Sequence, residues 1–374
     1  MKFEILTDNF KKALSGSEKV TRKILTLPVL QNVLLKAEGN FLQLTTTNLE
    51  TTIQWWVLAK IEKPGTSVVP ATFLSNLIGL VKSEKIQIIE QNKSLSITAE
   101  NQSFQVQGYD PEDFPLIPKI EKAKKYQIQC SVLARGLAQV IDIPNISQIR
   151  PEISGVYFSI QKDKLKIVAT DSFRLGEKTL SLGEKTEDEL HFIIPQASSR
   201  ELLNIAMSEE GSVNIILNPN QVLFEFFDQE LSHSKIHILS RIIEGEYPNY
   251  KEIIPKKYST SIQLDRAEFE NQIKKAGLFP GKVLEVKLEV FPGEGKIRIF
   301  SQSADIGKNE SFMAAKVSGE KVEVSFNYKF LLDGLSDIKS SEVSLELSTN
   351  NGPGALRPVG DSSFLYILMP VKNN

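Results

Sequence analysis

The residues of this 374-residue chain with the most chemistry to offer fall into a few groups, and spacing decides what each can do. Asp171 and Arg174 lie three apart in Val168-Ala169-Thr170-Asp171-Ser172-Phe173-Arg174-Leu175 and pair a carboxylate with a guanidinium, as many active sites do. Thr170 and Ser172 are turn formers, however, and the alternating segments Leu165–Val168 and Gly176–Leu180 flank them. The expected local structure is a β-hairpin turn with an apolar flank. Glu112 and Asp113 are adjacent carboxylates between Pro111 and Pro115, and no acidic set on matching strand ends joins them to hold a metal pair. His233 and His237 are four apart, in or beside a strand, with no cysteine or carboxylate cluster near them, which argues against zinc. Asn351-Gly352-Pro353-Gly354 is not followed by Gly-Lys-Ser/Thr and reads as a turn. Cys130 is the only cysteine, which excludes an intrachain disulfide and a cysteine metal cage. No catalytic residue, cofactor or metal site is expected.

The cations carry more information. Lys11, Lys12, Lys19, Arg22 and Lys23 crowd the first helical segment. Lys12 and Lys19 are seven apart and Lys11 and Arg22 eleven, so they share the side opposite Phe10 and Leu14. Arg266, Lys274, Lys275 and Lys282 occupy a matching place late in the chain, with Arg135 and Arg150 in between. On any single helix such lysines simply solvate a surface. Their recurrence at one place keeps open a second reading, phosphate contacts, which are independent of base sequence and sensitive to salt. A formal net charge of −2 argues against a surface that coats nucleic acid everywhere, but leaves room for one basic face.

The elements that would position these residues repeat. Core-facing stripes at helical spacing begin near Thr7 (Phe10, Ala13, Leu14, Ser17), Ser131 (Leu133, Leu137, Val140, Ile141) and Asp265 (Phe269, Ile273, Ala276). Thr7, Ser131 and Asp265 are each expected to cap their helix. A second helix signal follows each at Pro70, Pro195 and Tyr328, at separations of 63, 64 and 63 positions. Short alternating strands fill the rest, as in Phe41–Leu44, Leu165–Val168 and Lys296–Phe300. Two proline-punctuated joints, Glu112–Pro118 and Gly245–Pro255, leave the sheet. The fold class expected is α+β, in three tandem two-helix, antiparallel-sheet units spanning 1–120, 121–255 and 256–374. No apolar run reaches the roughly 20 residues of a membrane span, and the start lacks the pattern of a signal peptide. A cytoplasmic protein is expected.

Met1-Lys2-Phe3, Thr26-Leu27-Pro28-Val29-Leu30-Gln31-Asn32, Val168–Leu175 and Leu368-Met369-Pro370, in this order on three repeats, resemble the bacterial sliding clamp family, the beta subunit of DNA polymerase III. The resemblance covers Met1 to about Val371. It implies a non-catalytic processivity factor of DNA replication: a head-to-tail homodimeric ring, helices inside and sheets outside, around double-stranded DNA. On that reading Lys11, Lys12, Lys19, Arg22, Lys23, Arg135, Arg150, Lys274 and Lys275 face DNA. DNA polymerase, clamp loader and repair proteins would insert short apolar peptides into a pocket walled by Ile153, Thr170, Phe173, Arg174, Leu175, Pro248, Ile253, Leu368, Met369 and Pro370. Phe104 and Val106 of one copy would meet Leu278 and Phe279 of the other. Pro151-Glu152 and Glu252 depart from the family, which often has tyrosine and arginine there. The rival readings are a repeat-built β scaffold that binds only proteins, and an enzyme of nucleotide transfer.

Overall fold

The computed structural model describes residues 1–21, 27–118, 124–145, 147, 149–227, 234–349 and 352–371. Arg22, Lys23, His233, Asn351 and the last three residues lie outside them. Among the described residues the first repeat runs β1 (Lys2–Leu6), α1 (Thr7–Ser17), β2 (Asn32–Glu38), β3 (Phe41–Thr47), β4 (Thr51–Lys63), β5 (Gly65–Pro70), α2 (Ala71–Leu80), β6 (Lys85–Gln91), β7 (Ser94–Ala99) and β8 (Gln102–Gln107). The second runs β9 (Lys125–Gln129), α3 (Cys130–Ala138), β10 (Gly155–Gln161), β11 (Lys164–Thr170), β12 (Arg174–Ser181), β13 (Glu189–Pro195), α4 (Gln196–Ser208), β14 (Ser212–Asn218), β15 (Gln221–Phe227) and β16 (Ser234–Arg241). The third runs β17 (Thr260–Asp265), α5 (Arg266–Ala276), β18 (Glu285–Phe291), β19 (Lys296–Ser303), β20 (Gly307–Ala314), β21 (Lys316–Gly319), β22 (Glu323–Asn327), α6 (Tyr328–Asp337), β23 (Glu342–Leu347), β24 (Gly354–Pro358) and β25 (Phe364–Leu368).

The helix stripes are where the spacing puts them, except that Val140 and Ile141, though buried, lie in the turn beyond the end of α3. Phe10 and Phe269 are the fourth residues of α1 and α5, and both are fully buried, each contributing roughly 1.5–3 kcal/mol by leaving water. The expected caps hold unevenly. Asp265 accepts from the Glu268 N–H at 2.8 Å. Thr7 is instead the first residue of α1, which starts after Leu6 without a side-chain cap, and Ser131 lies inside α3. In α1 the run of hydrogen bonds begins directly out of β1, whose backbone already continues into the neighbouring turn through the Thr7 N–H to Glu84 oxygen contact at 2.9 Å.

By their contacts the three repeats gather into two compact bodies: Met1–Ala134 with 182–185 and 194–243, and Arg135–Ser181 with 186–193 and 244–374. The reason lies in the strand ladders. In the first body β4 pairs with β16, aligning Ile53 with Ile238. In the second, β12 pairs with β25, aligning Leu175 with Ile367. The fourth strand of one repeat thus zips to the last strand of the next, and the middle repeat is shared between the bodies. The first body's sheet follows the order β8-β7-β6-β1-β4-β16-β15-β14-β9. The second has a nine-stranded sheet, β13-β10-β11-β12-β25-β24-β23-β17-β21, and a four-stranded one, β20-β19-β18-β22. Both β8 and β20 are terminal strands.

Candidate functional site

The Thr170–Arg174 segment is the hairpin turn that its residues predict, linking β11 to β12. Asp171 organises it. Its Oδ1 accepts from the N–H groups of Phe173 (3.0 Å) and Arg174 (2.9 Å), and its Oδ2 from Arg174 Nε (3.1 Å). Thr170 Oγ1 donates to the Arg174 carbonyl at 2.8 Å and accepts from the Ser172 N–H at 3.2 Å. Ser172 takes a left-handed φ of +75°, which a small residue tolerates when such bonds hold it. Arg174 points away from solvent. Its guanidinium contacts the Tyr366 hydroxyl (3.3 Å), the Asp142 carbonyl (3.3 Å) and the Asp333 carboxylate, and lies 4.6 Å from the Phe330 ring centre. Burial opposes its charge, but Tyr366, Asp333 and Asp171 outweigh burial and raise its pKa. The Asp171–Arg174 pair is therefore a structural clamp, with both groups spent on internal partners.

The walls named from the sequence divide by face. Because side chains alternate along a strand, the β12–β25 register puts Leu175 with Ile367 on one side and Arg174 with Leu368 on the other. Leu175 packs with Val168, Tyr250, Ala355, Leu365 and Ile367, against Tyr157, Tyr247, Ile254 and Tyr258. Tyr157 and Tyr247 stack with ring centres 4.6 Å apart, and Tyr250 meets both edge-on at 6.3 Å. The Tyr250 hydroxyl donates to Glu177 at 2.6 Å; burial, then Glu177, raises its pKa. Ile153, Thr170, Arg174, Leu175 and Leu368 are buried, whereas Pro248 and Pro370 are half-buried. Phe173, Ile253 and Met369 are the exposed members, at 61%, 42% and 37%. A ligand would touch these three first. Leu368 sits with Arg174 on the opposite side of the sheet from Leu175 and is set apart from the apolar floor. Ile367 takes the place given to it, and the tyrosine cluster was not foreseen. The period of two in Phe364–Leu368 could have identified Ile367. The tyrosines could not have been found that way, because they come from a strand and a joint far apart in sequence.

The basic residues are unevenly available. Lys12 is paired with Glu209 at 2.6 Å, and Lys11 donates to the Val81 carbonyl at 2.6 Å. Lys274 is paired with Glu270 at 2.5 Å and Arg150 with Glu152 at 3.3 Å. Lys19, Lys275 and Arg135 are exposed. At the terminal strand β8, Val106 is already buried in its own body and Phe104 is partly covered. Leu278 is 68% exposed just beyond α5, with Phe279 partly buried beside it. No helix among the described residues is long and apolar enough to cross a membrane.

Family models for the N-terminal, central and C-terminal domains of the DNA polymerase III beta subunit match residues 1–118, 127–249 and 251–372. The beta sliding clamp of Staphylococcus aureus is 29% identical over 383 residues, covering 100% of this chain and 99% of that one. The clamp of Staphylococcus epidermidis is 28% identical with the same coverage. A crystal structure of the DNA polymerase sliding clamp from Bacillus subtilis superposes with a TM-score of 0.93 at 26% identity, covering 100% of both chains. That of the Thermotoga maritima beta subunit shares the fold, with a TM-score of 0.92 at 23% identity and 100% coverage of both. Three tandem domains in order, full-length coverage and a clamp's strand topology together identify the family: the chain belongs to the DNA polymerase III beta subunits, the bacterial sliding clamps of DNA replication, which are non-catalytic processivity factors.

Proposed function

We propose that two copies of the chain close head to tail into a ring around duplex DNA, and that the ring tethers partner proteins through the Phe173–Met369 pocket. The observation that carries the ring is a broken periodicity. The fourth strand of repeats one and two pairs with the last strand of the following repeat, as β4 does with β16 and β12 with β25. The fourth strand of repeat three, β20, and the last strand of repeat one, β8, are the members left terminal. An open edge is a template for another chain, and the missing pairing is satisfied if β20 of one copy meets β8 of a second. A heterologous contact of this kind closes when its rotation allows. Phe104 would be covered there, with Leu278 and Phe279 flanking β20. Repeat boundaries near 120 and 255 fit this scheme.

DNA would thread the ring with Lys19, Arg22, Lys23, Arg135, Lys274 and Lys275 toward phosphates. Ion pairs at Lys12 and Lys274 temper the attraction, as sliding requires. DNA polymerase, clamp loader and repair proteins would place apolar side chains against Phe173, Ile253 and Met369, in the cytoplasm. Light scattering should give twice 41.9 kDa, and Phe104→Asp should reduce it to one chain. Protein loaded onto nicked circular DNA should stay bound and slide off once the circle is cut. A monomer at every concentration, or retention indifferent to linearisation, rules the ring out and leaves the reading of a scaffold that binds only proteins.

A further inference from the structure

The turn at the heart of the pocket has a double in the first body, formed by Thr47-Asn48-Leu49-Glu50-Thr51. Asn48 Oδ1 accepts from the N–H groups of Glu50 (3.0 Å) and Thr51 (2.7 Å), as Asp171 does from Phe173 and Arg174. Thr47 Oγ1 accepts from the Leu49 N–H at 3.1 Å and donates to the Thr51 carbonyl at 3.2 Å, matching Thr170. Leu49 holds φ +73° where Ser172 holds +75°. The Arg241 N–H donates to the Glu50 carbonyl at 2.8 Å, as that of Met369 does to Phe173 at 2.9 Å. The apolar floor is repeated too. Leu223 and Leu239 are cross-strand partners with Ile117 of the first joint packed on their cluster, where the other body has Ala355, Ile367 and Ile254.

The chemistry at the mouth is different. Glu50 and Arg241 replace Phe173 and Met369. Beside them lies a cavity of about 500 Å³ lined by Leu49, Asn218, Asn220, Gln221 and Arg241. Leu49 is 50% exposed, and Arg241 forms no ion pair among the described residues. Carboxamides at this spacing can bond a peptide backbone, a half-exposed leucine offers one apolar contact, and a free guanidinium selects a carboxylate.

We propose that this groove is a second peptide site, separate from the Phe173–Met369 pocket and of opposite chemistry: it takes an extended acidic segment, with a carboxylate on Arg241 and an adjoining apolar side chain on Leu49. The inference rests on the pocket reading only in taking the turn as a peptide-binding frame. Electrostatic selection distinguishes the two sites, since one mouth is apolar and the other is charged.

Saturation-transfer difference NMR on the full-length chain tests it, with the capped peptide Ser-Leu-Asp-Ser and its Asn and Lys counterparts as probes. The aspartate peptide should receive saturation at its leucine methyls, and the asparagine and lysine peptides at least about threefold less. Arg241→Glu should invert the order, favouring lysine. Leu49→Asn, which suits the left-handed backbone, should reduce the signal for the aspartate peptide. Met369→Asp should leave it unchanged while weakening an apolar peptide about ten- to hundredfold. Equal transfer to all three peptides, or transfer unaffected by Arg241→Glu, overturns the second site. Loss on Met369→Asp but not on Arg241→Glu also overturns it, by placing the peptide in the other groove. An apolar peptide whose affinity is unchanged by Met369→Asp instead overturns the pocket reading, whatever happens at Arg241.

Discussion

The N–H of Met369 donates to the carbonyl oxygen of Phe173 at 2.9 Å, so a backbone bond sets two exposed apolar side chains next to each other. Substituting them should therefore disturb the surface without disturbing the fold. Phe173→Ala with Met369→Asp is expected to weaken a partner's apolar peptide by about two to four powers of ten, from roughly 1.5–3 kcal/mol per lost anchor. Calorimetric titration of the peptide and a melting curve on the same protein measure both. Leu175→Ala is a different experiment. Leu175 is 2% exposed within a packed cluster, and its truncation should cost about 2–5 kcal/mol of stability.

Arg174 holds the turn to the rest of its body through Asp171, Asp333, Tyr366 and the Phe330 ring. Removing one member of a buried, hydrogen-bonded ion pair typically costs about 3–5 kcal/mol. Arg174→Ala should lower the urea midpoint accordingly. Arg174→Lys should recover little, because an ammonium cannot reach three partners and stack at once. Full recovery by lysine would show that charge alone matters.

Asp337 gives the second body a pH dependence. Burial first, then the neighbouring Asp142, raises its pKa to about 7. The folded state thus holds this proton more tightly than the unfolded chain does. The resulting stability is present at low pH and is lost as pH climbs from the ordinary carboxylate range through about 7. Asp337→Asn is permanently neutral, so it should gain over the native protein at pH 8 and gain much less at pH 5. Melting temperatures at the two values decide it; an equal effect at both contradicts the assignment.

Among the basic residues, those already paired should matter least. Lys12→Ala and Lys274→Ala each remove a cation whose charge Glu209 or Glu270 largely offsets. Lys19→Ala with Lys275→Ala should weaken duplex binding more, equally across unrelated sequences, and flatten its dependence on salt. Fluorescence anisotropy over a salt series is the measurement.

Much of this was legible in the sequence, and what was not has a physical cause. Helix stripes and their near-constant spacing announced three repeats, because a helix buries its own local period. The Asp171 turn was legible for the same reason: its bonds stay within five residues. Strand partners were not. Alternation tells which residues share a face but not which strand lies alongside, so β4–β16 and β12–β25 stayed hidden, and with them the division into two bodies. The same blindness left Lys12 unpaired, since Glu209 lies far along the chain.

The pairing of Thr51 with Ser240 also sets a timetable for synthesis. Roughly 190 residues separate these strands, and a ribosome adds about 5–20 residues per second. For on the order of ten to forty seconds, the leading half of β4, Thr51-Thr52-Ile53-Gln54-Trp55, waits with one edge open. This segment is β-branched and aromatic, the composition most prone to pairing with the wrong chain. The first third of the newborn protein is thus a natural client for a chaperone, and truncation before Ser234, which removes all of β16, should send it to inclusion bodies rather than yield a soluble fragment.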